Sequence, residues 1–292
     1  MTRTPPWAST QVRAAGPGRF TAEVSAVWDL AVVPQGGVIA VIAARAMEAA
    51  LDNGQHLRSI HGVFASPVPS GPLEIDVEVL RSGRSVSQAL ADVRAPGADH
   101  GFHALAAFGH DRAGPGTPFV GIEAPVVPPP EDCPRFRDGP PAEVDWPVRP
   151  PFPFWAEVLD GRAALGHAPW DPEPRGAAEN ASWMRFDQPP HDGAGAFDEL
   201  ALLVVADMMP GSVFEVMPYR PDESSWFAPS IDLTVHLRSV PSGEWILTHN
   251  IAHWLEDGYA SAECRIWDLL AEDGPRLCAW ATQVMLFSEQ RR

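Results

Sequence analysis

A chain of 292 residues has room for one large or two ordinary domains. Its 38 acidic against 21 basic residues, a net charge of -17, argue against a nucleic-acid or anionic-membrane footprint, so an anionic ligand would need a local basic patch. Cys133, Cys264 and Cys278 lack metal-ligand spacing and support neither a disulfide framework nor a zinc site; with no apolar run of membrane length, the expectation is a soluble, untargeted, cytoplasmic protein without a cofactor.

Met1 to Gly18 carries Pro5, Pro6 and Trp7 but no apolar stretch after its arginines. Arg19 to Trp28 alternates loosely enough to be a strand. Val33-Pro34-Gln35-Gly36-Gly37 then leads into Val38 to Leu51, a mostly buried helix whose polar residues are confined to Arg45 and Glu48. Backbone amides at a glycine-led helix start can approach an oxygen atom closely, which makes Gly36 and Gly37 candidate oxyanion donors; a tight entry turn is the ordinary alternative. Four strands come next, Leu57 to Ser66, Leu73 to Arg81, Ser85 to Arg94 and Phe102 to Phe108, separated by proline and glycine turns.

Sixteen of the 32 prolines fall between Pro115 and Pro174, with no sustained helical or strand period. This reads as a linker or as extended chain lying on a neighbour, partly packed down by Trp146, Phe152, Phe154 and Trp155. The earlier order then repeats: a strand near Ser182 to Phe186, an apolar helix, and strands at Ile231 to Leu237, Trp245 to Leu255, Tyr259 to Trp267 and Leu277 to Phe287. Val68-Pro69-Ser70-Gly71 and Val240-Pro241-Ser242-Gly243 occupy the same turn in each half, which supports a duplicated unit. The expected units are 19–112, a linker over 113–180, and 181–289.

The second helix is the centre of the chemistry. Glu199 to Gly211 is expected to run about three turns and to stop at Pro210 and Gly211; Leu200, Leu202, Leu203, Val204 and Val205 leave it no polar face, and the residue that breaks this pattern is a carboxylate, Asp207, near the end. An ionised group there is costly unless hydrogen bonds or a bound water compensate it, or unless it simply points into solvent beyond the core.

A helix wrapped by an antiparallel sheet, present twice, resembles an α+β double hotdog, two antiparallel-sheet units each wrapped on a central helix. The details look like the acyl-CoA thioesterase II (TesB-like) family. The resemblance rests on Gly36-Gly37, Ser59-Ile60-His61-Gly62-Val63-Phe64 and Val79 to Ser85, and on Ala206-Asp207, Ser230-Ile231-Asp232, Glu244-Trp245 and Ala281-Thr282-Gln283. It implies hydrolysis of fatty acyl-CoA by an activated water. By motif the catalytic set falls on Asp207, Ser230 and Gln283, Ser230 standing where the family usually has Thr. His61 matches the family motif and is a candidate substrate-side residue, with a hydrogen-bonded strand residue as its plainer reading; Arg58 replaces another histidine, whose role does not transfer.

Thioester hydrolysis needs a positioned water, a proton acceptor and donors toward the carbonyl oxygen. Ser230 with Gln283, Asp207, and Gly36 with Gly37 would supply these in turn. Arg81 and Arg84, with Arg94, could meet coenzyme A phosphates, though charges near a hairpin tip are also ordinary surface. There is no Gly-x-Ser-x-Gly elbow, and His249 and His253 lack a third metal ligand. The expected partner is acyl-CoA, with no nucleic acid or membrane and with a homo-oligomer left open. The alternatives are a non-catalytic hotdog binding an acyl chain or a protein, and a thioesterase acting on acyl carrier protein; an acidic surface disfavours the latter, since carrier proteins are acidic too.

Overall fold

The computed structural model describes residues 5–30, 32–114, 116–140, 152–168, 170–171, 176–217 and 224–291; Trp146 lies outside them. In chain order the elements are β1 (Arg13–Gly16), β2 (Arg19–Val24), β3 (Asp29–Leu30), β4 (Val33–Pro34), α1 (Gly36–Leu51), β5 (His56–Phe64), β6 (Gly71–Arg81), β7 (Val86–Arg94) and β8 (Phe102–Gly109). They continue with α2 (Pro153–Glu157), β9 (Leu159–Leu165), β10 (Glu179–Phe186), α3 (Ala201–Ala206), α4 (Pro210–Phe214), β11 (Ser224–Phe227), β12 (Asp232–Leu237), β13 (Ile246–Glu256), β14 (Tyr259–Asp268), β15 (Arg276–Leu286) and β16 (Ser288–Arg291).

Twelve strands form one antiparallel sheet in the order β1-β2-β6-β7-β8-β5-β12-β15-β14-β13-β10-β9. Counted inward from its own edge, each half contributes its first, third, fourth, fifth and second long strand, β2, β6, β7, β8 and β5 in one and β10, β13, β14, β15 and β12 in the other. The two second strands, β5 and β12, therefore meet at the middle, with Thr234 opposite His61. Both Val-Pro-Ser-Gly turns come directly after these central strands.

Alternation sets the inner face. Phe20, Ala22 and Val24 of β2 are buried between exposed neighbours, and Ala89, Ala91 and Val93 of β7 are buried at the same spacing. Small inward residues, Ala89, Ala91, Ala104 and Ala106, let α1 lie close on β5 to β8, and α1 answers with Ala40, Ala43, Ala44 and Ala46, all buried. In the other half α3 packs on β12, β14 and β15. The two helices touch each other, because Gly37 has no side chain: a Cβ there would stand 2.2 Å from the Leu203 carbonyl oxygen.

Three segments differ from the sequence expectation. Glu199 to Gly211 is not one helix. α3 is six residues long, Asp207 leaves the helical region at φ -87 and ψ 51, and Pro210 opens α4. A proline at a first helical position gives up an N–H that would have had no partner anyway, so it starts this helix instead of stopping the previous one. Gly211 is likewise not a stop; it lets α4 approach the Asn180 side chain. The first strand ends at Val24, and Ala26–Trp28 is a 3-10 turn capped by Ser25, with the Trp28 indole buried and donating to Ser9 Oγ at 3.0 Å.

The third is in the proline-rich stretch, where Leu159–Leu165 is a strand on the sheet edge, paired with β10. Upstream, Ile122, Ala124, Val127 and Cys133 pack with Trp183, Leu247 and Trp267 in a second apolar cluster, and the Trp183 indole donates to the Pro128 carbonyl at 2.9 Å. Proline-rich extended chain offers free carbonyls, which is why an indole N–H can tie it down. Phe154 is fully buried, Trp155 packs partly against the core and Phe152 stays exposed.

Candidate active site

Leu200 to Ala206 are all at most 2 % exposed, so the α3 backbone delivers the residue after it, Asp207, into the interior. The end of a helix carries partial negative charge, and burial adds a desolvation cost, so an ionised carboxylate needs strong compensation there. Desolvation accordingly pushes the Asp207 carboxyl above its ordinary range, opposed by hydrogen bonds from Gln283, Ser230 and the backbone at Gly37 and Gly36.

Those partners come from three places in the chain. Gln283, on β15 and 1 % exposed, donates Nε2 to Asp207 Oδ1 at 2.5 Å and to Ser230 Oγ at 2.6 Å. Ser230 Oγ donates to the same Oδ1 at 2.9 Å. On the other side the Gly37 N–H donates to Oδ2 at 3.1 Å. Ser230 is held where the chain passes from β11 into β12: Ile231 N–H donates to the Val284 carbonyl, and Phe64 N–H to the Ile231 carbonyl. Asp232 fixes the neighbouring edge of β15 by accepting from Val284 N–H at 2.6 Å. Gln283 Oε1 is buried and has no protein partner among the described residues, leaving an acceptor in the same enclosure.

The structure thus brings together Asp207, Ser230, Gln283, Gly36 and Gly37, the glycines contributing through α1 packing on α3. In this state the Gly37 amide is engaged by the carboxylate. Phe64 completes the wall: a Cβ on Gly36 would meet Asp207 Oδ2 and Phe64 Cζ, both at 2.7 Å, and Phe64 lies against the buried Phe102 with ring centroids 4.6 Å apart.

The other expected residues lie outside this set. His61 is exposed on the opposite face of β5 from the buried Ile60, its Nδ1 2.7 Å from Thr234 Oγ1 across the central strand pair. Arg81 and Arg84 are exposed at the β6–β7 hairpin tip, whereas Arg94 is committed to Asp76 at 2.5 Å and to Asp92 at 3.1 Å. Arg58 donates to the Gly109 carbonyl and to Asp111. His249 contacts Glu179 at 2.6 Å and His253 contacts Glu263 at 3.7 Å.

One participant carries almost no mark in the sequence. Gln35 sits immediately before the glycine pair, 1 % exposed, and bridges the start of α1 to the end of α3. Its only signal there is a polar residue between Pro34 and two glycines at a helix entry.

Comparison with known families places these elements. A family model described as the acyl-CoA thioesterase N-terminal domain matches residues 24–109, and one described as the acyl-CoA thioesterase C-terminal domain matches residues 130–287. No curated protein sequence matches this chain. Among solved structures, a hot dog fold protein from Alicyclobacillus acidocaldarius is 23 % identical with a TM-score of 0.75, the match covering 98 % of this chain and 99 % of that one. A protein described as a thioesterase II from Thermobifida fusca YX is 24 % identical at 0.76, over 99 % of each chain. An acyl-CoA thioesterase II from Mycobacterium marinum is 17 % identical at 0.66, over 97 % of each. At these identities the structural likeness concerns the fold.

Proposed function

Because this chain belongs to the acyl-CoA thioesterase family and is a thioester hydrolase, we propose that Asp207 is its general base and that a fatty acyl-CoA is its substrate. The observation that carries the reading is a buried carboxylate gripped from both sides, by Ser230 and Gln283 on Oδ1 and by the Gly37 amide on Oδ2. A binding scaffold would have no use for so costly a group.

In this reading the two halves, 19–112 and 181–289, are fused hotdog units joined through 113–180, and the site uses both. A water donates one hydrogen to Asp207 and is oriented by Ser230 Oγ and Gln283 Oε1. Its oxygen attacks the thioester carbonyl carbon as its proton passes to the carboxylate. The tetrahedral intermediate then collapses, the C–S bond breaks, and the proton returns from Asp207 to the departing thiolate, giving free acid and thiol. Burial holds the Asp207 carboxyl above its ordinary range, which makes it a stronger proton acceptor for the first transfer. For Gly36 and Gly37 to face the carbonyl oxygen, the carboxylate would release the Gly37 N–H as substrate enters. Arg81 and Arg84 are assigned to the coenzyme A phosphates, and His61 to the substrate side only at the level of motif.

The test is thiol release from acyl-CoAs of graded chain length by wild type and Asp207→Asn. A general base contributes roughly 10² to 10⁴-fold, so kcat should fall at least about 10²-fold with binding retained. A comparable rate in the variant refutes the assignment of the base. Activity on acyl carrier protein thioesters but on no acyl-CoA refutes the substrate class alone.

A further inference from the structure

Asp207 closes a helix of only six residues, and the last carbonyls of a helix have no partner along their own chain. Water serves that need at an exposed end. Here the end is enclosed, Val204 being fully buried and Asp207 9 % exposed, so the partner has to come from the protein. Gln35 supplies it. Its Nε2 donates to the Val204 carbonyl at 2.9 Å and to the Asp207 carbonyl at 3.1 Å, from 169 and 172 residues away in the sequence.

The same side chain also caps α1, Oε1 accepting from Val38 N–H at 3.1 Å. Two acceptors on the nitrogen and a donor on the oxygen fix the amide orientation, because the flipped side chain would set oxygen against two carbonyls. The Gln35 main chain is anchored in turn, its N–H donating to the Trp28 carbonyl at 2.9 Å. Two residues on, Gly37 N–H reaches Asp207 Oδ2. A single tripeptide, Gln35 to Gly37, therefore holds Asp207 at two points, its carbonyl and its carboxylate, and joins the two halves of the chain there.

We infer that Gln35 is a positioning residue for the reaction, setting where the Asp207 carboxylate stands relative to the head of α1, in addition to capping that helix. The inference rests on the reading of Asp207 as the base. Displacing a reacting group by about 1 Å costs on the order of 10²-fold, and without the Gln35 amide the Asp207 carbonyl loses its donor while the short α3 end is free to shift.

Two substitutions separate positioning from capping. Gln35→Met keeps length and apolar bulk and loses every side-chain hydrogen bond. Gln35→Glu keeps an oxygen for the Val38 cap and loses the donors to Val204 and Asp207. Both should lower kcat by about tenfold or more with KM within about twofold of wild type, measured per folded protein by circular dichroism below the unfolding midpoint. Both should also move the acid limb of the rate profile to higher pH, because loosening the Gly37 contact removes a hydrogen bond that favours the ionised form. In an Asp207→Asn background, adding Gln35→Met should change the residual rate by less than about twofold, since the clamp would have no base left to position.

A Gln35→Glu enzyme with wild-type kcat reduces Gln35 to a cap and overturns the inference. So does a Gln35→Met loss of equal size in both backgrounds, which is the signature of a general structural defect. Should Gln35→Met fail to fold, Gln35→Glu carries the comparison in both backgrounds. If Asp207→Asn itself turns over normally, the base assignment fails and this inference with it; if Asp207→Asn is inactive while the Gln35 variants are fully active, only the positioning role is refuted.

Discussion

Two adjacent glycines should fail in different ways when given a methyl group, and the contrast tests how the site is assembled. At Gly37 the added Cβ would lie 2.2 Å from the Leu203 carbonyl oxygen and 2.7 Å from the Val204 Cα, both main-chain atoms of α3. Restoring an ordinary contact of ~3.4 Å to that oxygen requires α1 and α3 to part by about 1 Å, and backbone on both sides offers no flexible end to give way. Overpacking of this kind costs about 1–3 kcal/mol, and the upper part of that range applies between two fixed backbones. Alanine regains about 1 kcal/mol of helix propensity over glycine. The net loss is then about 1–2 kcal/mol, or a fall in Tm of roughly 2–8 °C for a chain of this size.

At Gly36 the new Cβ would instead meet Asp207 Oδ2 and Phe64 Cζ, each at 2.7 Å. These are side-chain ends, which can rotate away. Gly36→Ala should therefore cost less stability than Gly37→Ala while displacing the carboxylate directly, so kcat should fall by about tenfold or more. Thermal unfolding and thiol release on both variants make the comparison. A Gly37→Ala protein at least as stable as wild type would mean that helix propensity alone governs the position, and the argument from close helix contact would be wrong.

Glu48 offers a pH test of stability. Burial first, then Glu199 and Asp198, against the opposing pull of Arg45, raise its pKa from 4.5 to about 7. A raised carboxyl contributes stability that is fully present below pH ~4.5 and is lost as pH climbs through about 7, so Glu48→Gln should match wild type at acid pH and unfold at higher temperature at pH ~8; a Tm gap independent of pH refutes this. Ser230→Ala and Gln283→Ala should each reduce kcat less than Asp207→Asn, and either combined with Asp207→Asn should add little, because all three act on one water; additive losses in ln kcat would show separate roles. Arg84→Ala should raise KM for acyl-CoA, with the loss growing as salt is lowered; an unchanged KM at low salt returns Arg84 to ordinary surface.

The sequence by itself determined what depends on near neighbours. Strand-like runs and the turn residues between them placed β5 to β8 and β12 to β15 within a few residues of their observed ends, because turn chemistry is a local property of the chain. The apolar run of α1 and the absence of a polar face in α3 marked both as buried. Asp207 stood out as a lone carboxylate in an apolar run, and the matching Val-Pro-Ser-Gly turns exposed the repeat.

Tertiary structure decided everything that required distant segments to meet. No local pattern specifies that β12 pairs with β5 on one edge and with β15 on the other, yet the first pairing joins the halves and the second sets Ser230 beside Gln283. Pro210 is equally compatible with ending a helix or beginning one, and the choice came from α4 packing on β10 and β13. Leu159–Leu165 carries too weak an alternation to declare itself and becomes a strand because β10 presents an open edge. Gln35 is the sharpest case. A glutamine before two glycines has many local uses, and only the arrival of α3 from the other half of the chain, with buried carbonyls that need a donor, gives it this one.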